Sequence, residues 1–441
     1  MLALLFCVAA ICGCSKKKSA AEAAGAPAHA AAALGDSGAK APEPGIGAPE
    51  DSTHGYHATP LSRIPPRVPA PVRTEWLQNH FAWYVAPQGP APEHWSALEK
   101  DIHPEACGTC HQQQFADWKK SLHHKAMSPT VLGQLLDMEI DAPVLAITCQ
   151  RCHAPLAEQI PYLEKGVHNA DFQPGFREQG LVCAACHVRG NQRFGPPPRK
   201  PMAEGAPHGG FTIKTEYESP AFCASCHDFT PGGGMHGKLV QETAEEWRRT
   251  PFAEQGKTCQ TCHMPDRRHL WKGIHDSAMT ASAVSIQAQF DRPAKPGDSL
   301  RAVVSLTNVG AGHRFPTYTE PQIKLILEQV DAKGRALQGS YVEGVIARKV
   351  TEEMDREVFD TRLLPGETYS LAYARPRLPG AKALSARVEV WPDEAYRLYF
   401  KKMLETPALR PEMPAVVKQM EIAQKQDTDS RYLLWKQTFR L

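Results

Sequence analysis

The sequence has almost no net charge, no apolar run of membrane length and few aromatic residues. Its 50 Lys and Arg against 48 Asp and Glu leave a formal charge of +2, which gives no attraction to nucleic acid or to an acidic membrane surface. The apolar run of residues 2–11 is shorter than the about 20 residues that a membrane helix needs. Aromatic residues make up 8% of the chain, which is little for the core of a loop-rich protein.

Cysteine is absent from the body of the chain except in one repeated pattern. Of the 13 cysteines, three lie near the start (Cys7, Cys12 and Cys14), and the other ten form five C-x-x-C-H motifs. The motifs are Cys107, Cys110 and His111; Cys149, Cys152 and His153; Cys183, Cys186 and His187; Cys223, Cys226 and His227; and Cys259, Cys262 and His263. No thiol is left in the body of the chain for a structural disulfide.

The C-x-x-C-H pattern is the one used for covalent attachment of c-type haem. Two thiols three residues apart on a helical turn can reach the two vinyl groups of one porphyrin. The His that follows then places an imidazole nitrogen below the iron as the proximal ligand. The sequence therefore predicts five c-type haems, held by the ten paired thiols and by the five His that end the motifs.

Two other uses of paired cysteines fit less well. Zinc sites need two ligand pairs each, and five pairs do not divide into complete four-ligand sites. Zinc binding also gives no reason for a His after every second Cys. A thioredoxin-type redox motif would sit in a βαβ unit, and no such pattern separates the five copies.

Five irons with one His each need up to five more ligands. The chain has 19 His, and His29, His54 and His57 fall in a linker, so enough remain for two His at every iron. The predicted second ligands are His123, His208, His275, His313 and, for an undecided fifth position, His269. Glycines beside His208 and His313 let the backbone approach a flat ring closely.

Other second ligands stay open. His236, His168, His103 and His124 are the alternative imidazoles. The thioethers of Met127, Met235 and Met264 are the alternative sulfur ligands, and sulfur ligation would raise the potential of a haem.

The N-terminal segment predicts export. Residues 1–14 have the short apolar region of a secretory signal and resemble a bacterial lipobox, with Cys14 as the lipidated residue. No Lys or Arg precedes the apolar run, and an ordinary cleaved signal is the alternative. Residues 15–72 are rich in Ala, Gly and Pro and predict a linker without a core. We expect a periplasmic or outer-membrane lipoprotein of a bacterium, because c-type haem is attached outside the cytoplasm.

Two folded parts are expected after the linker. Residues 73–281 predict a mostly α-helical and irregular multihaem cytochrome c domain, in which short helices, loops and haem sites alternate and the porphyrins form much of the core. Thr243 and Glu246 have the spacing of a capping box that opens one of these helices.

Residues 282–441 alternate apolar and polar residues with period two, which predicts an all-β, sandwich-like domain with C-terminal helices. The predicted strands are Val284–Phe290, Leu300–Val309, Ile323–Val330, Val358–Leu364, Tyr369–Tyr373, Leu384–Trp391 and a last run that ends at Leu441. The predicted helices are Glu394–Leu404 and Pro414–Lys425.

Three stretches resemble the multihaem c-type cytochromes of the hydroxylamine-oxidoreductase and tetrahaem-cytochrome superfamily. They are W-x-x-S-x-H at 118–123, C-Q-T-C-H-M-P at 259–265 with His269 and His275 after it, and N-V-G-A-G-H-R-F-P at 308–316. The resemblance covers about residues 104–441. It implies closely stacked haems with mainly two His per iron, and a His313 that enters from the β-domain to bind a haem of the other domain.

Three functions are compatible with these features. The first is electron transfer through stacked haems to redox partner proteins in the cell envelope, with a membrane anchor and no nucleic acid. No motif replaces its His with the Lys that marks the catalytic haem of pentahaem nitrite reductases. The second is a reductase or oxidase of a small nitrogen or sulfur compound at one open haem. The third is a subunit of a polymeric cytochrome filament.

Overall fold

The computed structural model of the chain describes residues 53–82, 85–163, 165–201, 205–229, 239–291, 298–351 and 354–441. The predicted signal peptide with Cys14 and residues 15–52 of the linker lie outside these ranges, as do Met235 and His236. No helix within these ranges has the length and apolar character needed to cross a membrane.

The first part of the chain is a series of short helices joined by turns. The helices are α1 Glu75–His80, α2 Ala97–Lys100, α3 Pro104–Cys110, α4 Gln112–Trp118, α5 Pro129–Asp141, α6 Pro143–His153, α7 Cys183–His187, α8 Pro220–His227, α9 Thr243–Trp247, α10 Pro251–Glu254, α11 Cys259–His263 and α12 Ser277–Ala283. A small sheet lies among them, made of β1 Val188–Arg189, β2 Gln192–Gly195 and β3 Thr212–Ile213.

Each C-x-x-C-H motif ends a short helix. Pro104, Pro143 and Pro220 begin three of these helices, where the missing N–H of proline costs nothing and its fixed φ favours helical geometry. Residues three and four positions apart share a face of a helix, so both thiols and the His point to the same side. The predicted repeat of short helix and loop is confirmed.

The second part is built from two antiparallel sheets. The strands are β4 Val284–Asp291, β5 Ser299–Asn308, β6 Gln322–Val330, β7 Val342–Ile346, β8 Arg348–Val350, β9 Glu357–Asp360, β10 Thr368–Pro376, β11 Ala383–Trp391 and β12 Tyr432–Arg440. One sheet has the order β10-β5-β4 and the other β12-β11-β6-β7, while β8 and β9 form a separate hairpin. The predicted sandwich-like fold is confirmed.

The core of the sandwich comes from alternate residues of the strands. In β5, Leu300, Val304 and Leu306 are fully buried, whereas Arg301 and Val303 are exposed. They meet apolar residues of β6 and β11 from the facing sheet, such as Leu325 and Val388. Such complete burial contributes roughly 1.5–3 kcal/mol for each large aliphatic side chain.

Two helices lie between β11 and β12 and connect the sandwich to the first part. They are α13 Glu394–Glu405 and α14 Pro414–Asp429. Met420 of α14 packs with Phe400 of α13 and lies against Gly133 of α5, where a β-carbon would meet the Met420 Cγ at 3.2 Å. The C-terminal helices therefore hold the helical part against the sandwich.

The end of the predicted linker lies on the folded body. Tyr56 packs edge-on against Tyr369 with ring centres 5.9 Å apart, and the backbone N–H of Ala58 donates to Asp360. Arg67 forms an ion pair of 2.9 Å with Glu254. Residues 53–72 thus run along both parts of the molecule, because these contacts outweigh the local Pro-rich composition.

The structure differs from the predicted elements in several places. The predicted strand Val358–Leu364 is shorter, since β9 ends at Asp360, and β7 and β8 were not predicted. The predicted capping box is wrong, because Glu242 is the N-cap of α9 and its side chain makes no cap hydrogen bond.

Candidate functional site

One large cavity in the helical part collects all five motifs. Its volume is about 2380 Å³, and all ten motif thiols and all five motif imidazoles line it. Pockets for a single small ligand usually measure about 300–1,000 Å³, so this cavity is sized for several bulky groups. Its wall is mainly apolar, which suits flat porphyrin rings. Among the described residues, no three His, Cys, Asp or Glu side chains come together to hold a metal ion by themselves.

The thiols reveal which motifs are neighbours. The Cys107 thiol shares a hydrogen bond with Cys183, Cys152 with Cys226, and Cys259 with Cys223. The pKa of Cys223 is raised well above its ordinary value by the hydrogen bond with Cys259, by burial and, more weakly, by the nearby thiols of Cys259 and Cys186. The first motif is therefore next to the third, and the fourth adjoins the second, third and fifth.

Four of the five motif imidazoles have a fixed orientation. The Nδ1 atoms of His153, His187 and His263 lie 2.6, 2.9 and 2.7 Å from the backbone oxygens of Ala126, Phe194 and Lys272. The Nδ1 of His227 lies against the hydroxyl of Tyr318 instead. An Nδ1–H that donates to such a partner leaves Nε2 with a free lone pair for a metal.

Three of these imidazoles face a second imidazole across the cavity. The ring centres of His263 and His313 are 6.3 Å apart, those of His187 and His269 are 6.2 Å apart, and those of His227 and His123 are 6.2 Å apart. Each pair joins a motif His with a predicted second ligand from another segment of the chain.

The spacing within the pairs fits an iron between the rings. An imidazole nitrogen lies about 1.1 Å from its ring centre and about 2.0 Å from a first-row metal that it binds, so two imidazoles on one iron have centres about 6.2 Å apart. The interplanar angles of 12°, 35° and 42° are compatible, because each ring can rotate about its bond to the metal. The residues present therefore fit the haem that the motifs imply.

The paired imidazoles are neutral. Burial lowers the pKa of His123 to about 3 and the pKa values of His187 and His227 to about 4. Burial also lowers the pKa of His313. A neutral imidazole is the form that binds a metal, so these rings need not lose a proton near pH 7.

His111 and His153 are not paired in the same way. His208 lines the cavity, and its Nδ1 donates to the Gly210 carbonyl at 2.9 Å. Burial lowers the pKa of His111, and the nearby His208 lowers it further. The structure thus brings His208 and His111 together. Among the described residues, no imidazole ring faces His153 across the cavity.

Four other predicted histidines do not face a motif imidazole. His275 lines the cavity, but its Nε2 lies 2.8 Å from the Asp393 carboxylate. His103 pairs with Asp101 at 2.7 Å, and the ring of His168 contacts Tyr162 and Phe172 outside the cavity wall. His124 lines the cavity, with its Nδ1 3.3 Å from the Gln179 oxygen.

Three residues that support the paired imidazoles have no local signal in the sequence. Asp117 accepts two hydrogen bonds of 2.6 Å from Arg268 and one of 3.1 Å from the His269 backbone. Tyr318 supports His227, and Glu246 supports the loop that carries His313. These contacts join residues far apart in the chain, so no local pattern announces them.

Comparison with known proteins gives one family match and one shared fold. Residues 106–188 match the family model described as Cytochrome c554 and c-prime. The fold is similar to that of a penta-heme cytochrome c552 from Thermochromatium tepidum, with 18% identity and a TM-score of 0.55 over 78% of this chain and 100% of that chain. A comparison with curated protein sequences finds no match.

A second structural similarity is too weak to carry an argument. It is to beta-glucosidase 3B from Thermotoga neapolitana, with 10% identity and a TM-score of 0.11 over 36% of this chain and 17% of that chain. The family match and the shared fold together support a multihaem c-type cytochrome with a helical part followed by a β part.

Proposed function

We propose that this chain is a five-haem electron-transfer cytochrome of the cell envelope, in which most irons have two His ligands. The observation that carries the proposal is the facing of imidazoles across one cavity at 6.2–6.3 Å. When bound, the haems supply the one-electron redox chemistry. The protein sets the spacing, the ligands and the burial of the rings.

The ligand roles follow from the pairs. The ten motif thiols bind the porphyrins, and His111, His153, His187, His227 and His263 are the proximal ligands. His208, His269, His123 and His313 are the second ligands opposite His111, His187, His227 and His263, respectively. His275 is a second ligand only if its Nε2 leaves Asp393. An iron with two strong ligands has no position for a substrate, and this favours electron transfer over catalysis.

The contacts between thiols support a branched row of haems. The first haem adjoins the third, the third adjoins the fourth, and the second and fifth both adjoin the fourth. An electron that enters at the first haem would reach the fourth before it moves to either the second or the fifth. The fourth haem, on Cys223, Cys226 and His227, is therefore the junction of the route.

The domain division and the location belong to the same proposal. Residues 73–281 carry the five haems, and residues 282–441 form the domain that contributes His313. Covalent haem attachment outside the cytoplasm supports an exported protein. A lipid on Cys14 would hold it at a membrane, where the partners are other cytochromes or membrane oxidoreductases.

Spectroscopy of the purified holoprotein tests the proposal. Visible and EPR spectra should show mainly low-spin haem, because two imidazoles per iron give a strong ligand field. Addition of cyanide should leave most of this signal unchanged. A spectrum in which most haems are high-spin and bind cyanide would contradict electron transfer through saturated irons.

A second candidate function rests on His153. Among the described residues no imidazole faces it, so the haem on Cys149 and Cys152 could keep an open position for a small nitrogen or sulfur compound. This candidate predicts one high-spin haem in five that binds cyanide or nitrite. A wholly low-spin spectrum that nitrite does not change would remove it.

A further inference from the structure

One loop of the β-domain places two different side chains at two neighbouring haem sites. The loop runs from Gly312 to Tyr318, between β5 and β6. Its His313 faces His263, with ring centres 6.3 Å apart and planes 12° apart. Its Tyr318 lies beside His227, with ring centres 6.2 Å apart and planes 16° apart. The sites served are the fifth and the fourth, which are adjacent through Cys259 and Cys223.

Tyr318 takes a role that backbone carbonyls take at the other sites. The Nδ1 atoms of His153, His187 and His263 each lie near a backbone oxygen. The Nδ1 of His227 lies 2.5 Å from the Tyr318 hydroxyl. The partner of the fourth proximal His is therefore a side chain from the other domain.

Iron binding fixes the direction of this hydrogen bond. A His that binds iron through Nε2 carries its proton on Nδ1, so Nδ1–H donates and the Tyr318 oxygen accepts. The Tyr318 O–H in turn donates to the Thr243 oxygen, because the Thr243 proton is used on Thr317, whose own hydroxyl donates to Glu246. A neutral phenol oxygen is still a weaker acceptor than an amide carbonyl oxygen.

The loop is held in place by a buried carboxylate of the helical part. Glu246 of α9 is 1% exposed. It accepts the Arg314 backbone N–H at 3.2 Å, the Thr317 hydroxyl at 2.8 Å and the Arg362 guanidinium at 2.9 Å. In addition, the Thr250 hydroxyl donates to the Gly312 carbonyl at 3.2 Å. The loop is thus fixed on both sides of His313 and immediately before Tyr318.

We propose that Tyr318 is a positioning residue that sets the redox potential of the fourth haem through His227. The inference rests on the proposed function, since it requires a haem on Cys223, Cys226 and His227. The strength of the bond that Nδ1–H makes controls how strongly the imidazole donates to the iron. Because the Tyr318 oxygen is a weak hydrogen-bond acceptor, the His227 imidazole donates less electron density to the iron. The ferric form is then less stabilised, and the redox potential of this haem stays raised. The junction of the row would thereby be tuned by the β-domain.

The test is a potentiometric titration of the Tyr318→Phe holoprotein, followed by visible and EPR spectra. Loss of the acceptor should raise the midpoint potential of one haem of the five and alter its low-spin EPR signal. The matched control is Tyr432→Phe. Tyr432 is also partly buried, and its hydroxyl donates at 2.7 Å to the Ile274 carbonyl and also lies 2.7 Å from the Thr280 hydroxyl. That variant should leave all five potentials unchanged.

The outcomes are separable. If intact mass finds five haems in Tyr318→Phe and no midpoint potential moves, the inference is overturned while the proposed function stands. If the wild-type protein lacks five haems, the proposed function itself fails. A loss of thermal stability without a change of potential would mean that Tyr318 only packs, and this also overturns the inference.

A second variant applies if Tyr318→Phe does not load its haems. Thr243→Val keeps the shape of the side chain and removes the hydroxyl beside the Tyr318 oxygen. A phenol that no longer donates to Thr243 is a weaker acceptor for the His227 Nδ1–H, so the potential of the same haem should rise. An unchanged potential in a fully loaded Thr243→Val protein would overturn the inference.

Discussion

The ring nitrogen that an imidazole leaves unbonded decides what it can do in this protein. His313 has its Nδ1 2.8 Å from the Arg314 carbonyl oxygen, so Nε2 remains for iron. His275 has its Nε2 against Asp393 at 2.8 Å, so its metal-binding nitrogen is taken. The two residues have similar glycine-containing surroundings in the sequence, and only their contacts separate them.

Substitution of these two residues gives opposite predictions. His313→Ala should convert one haem of five from low-spin to high-spin, because the iron loses its second imidazole. His275→Ala should leave the spin state of all five unchanged, since the lost partner is the Asp393 carboxylate. EPR spectra of both variants, with the number of haems checked by mass, make the comparison.

The contrary result is specific. A high-spin haem in His275→Ala together with none in His313→Ala would reverse the assignment of the ligands. It would mean that the Asp393 contact breaks when haem is bound.

At the scale of elements, α9 shows how a helix terminus joins the two domains. Glu246, three residues after Thr243, has the spacing of a capping residue, but it is buried against Arg314, Arg362 and Thr317 of the other domain. Backbone N–H groups at the start of α9 donate instead to the carboxylate of Asp228. The cap thus comes from a neighbouring segment, and this frees Glu246 for the contact between domains.

Removal of the Glu246 carboxylate should destabilise the protein. Glu246→Ala removes the negative charge that pairs with the buried guanidinium groups of Arg314 and Arg362. Loss of one partner of a buried ion pair costs about 3–5 kcal/mol. Thermal unfolding measures the loss. Glu245→Ala is the control, because Glu245 pairs with Arg248 and Arg249 in partly exposed positions and should cost about 1 kcal/mol or less. Equal losses in both variants would contradict the buried role of Glu246.

The packing of α14 on α5 predicts a dependence on pH. Burial and the nearby Asp393 raise the pKa of Asp427 to about 7, against about 3.9 in an unfolded chain. The folded state then binds more protons between these values, so this group makes the free energy of unfolding fall as pH rises from about 4 to about 7. Asp427→Asn keeps an acceptor for the Thr130 hydroxyl and removes the titration.

The variant should gain stability over wild type as pH rises, by up to about 3–4 kcal/mol above pH 7. Thermal midpoints at pH 5 and pH 8 measure this difference. The control Asp429→Asn removes an exposed partner of Lys425 and should show no such trend. A constant difference between Asp427→Asn and wild type at both pH values would contradict the raised pKa.

The elements could be predicted from sequence where one local pattern dominates. The period-two alternation of Leu300–Val309 predicted β5 to within a residue or two, and the C-x-x-C-H spacing predicted which helices carry thiols. β7 was missed because Gly344 interrupts its pattern, although that glycine is needed for the close approach of Tyr369, whose hydroxyl would lie 2.7 Å from a β-carbon. Contacts between distant segments, such as Tyr318 with His227, follow from the tertiary fold and leave no local trace.

At the scale of the whole molecule, the two parts are stabilised differently. The sandwich has a packed apolar core in which Leu306, Leu325 and Val388 are fully buried. The helical part surrounds a cavity of about 2380 Å³, and protein interiors do not tolerate unfilled space on that scale. The helical part therefore depends on what fills the cavity.

A chain made without haem attachment should lose the helical part and keep the sandwich. Limited proteolysis is expected to cleave between residues 104 and 281 and to spare residues 298–441, because the sandwich has one large apolar core whereas the helical part has only smaller clusters around the cavity. The fully loaded protein is the control and should resist cleavage in both regions. A haem-free chain that is equally resistant throughout would contradict the dependence.

The most direct test of the whole account is the intact mass of the mature protein after expression with haem-attachment machinery. The expected result is the polypeptide mass plus five haem increments, with none of the ten motif thiols available to an alkylating reagent under denaturing conditions. A mass with fewer than five increments, or motif thiols that still react, would contradict it.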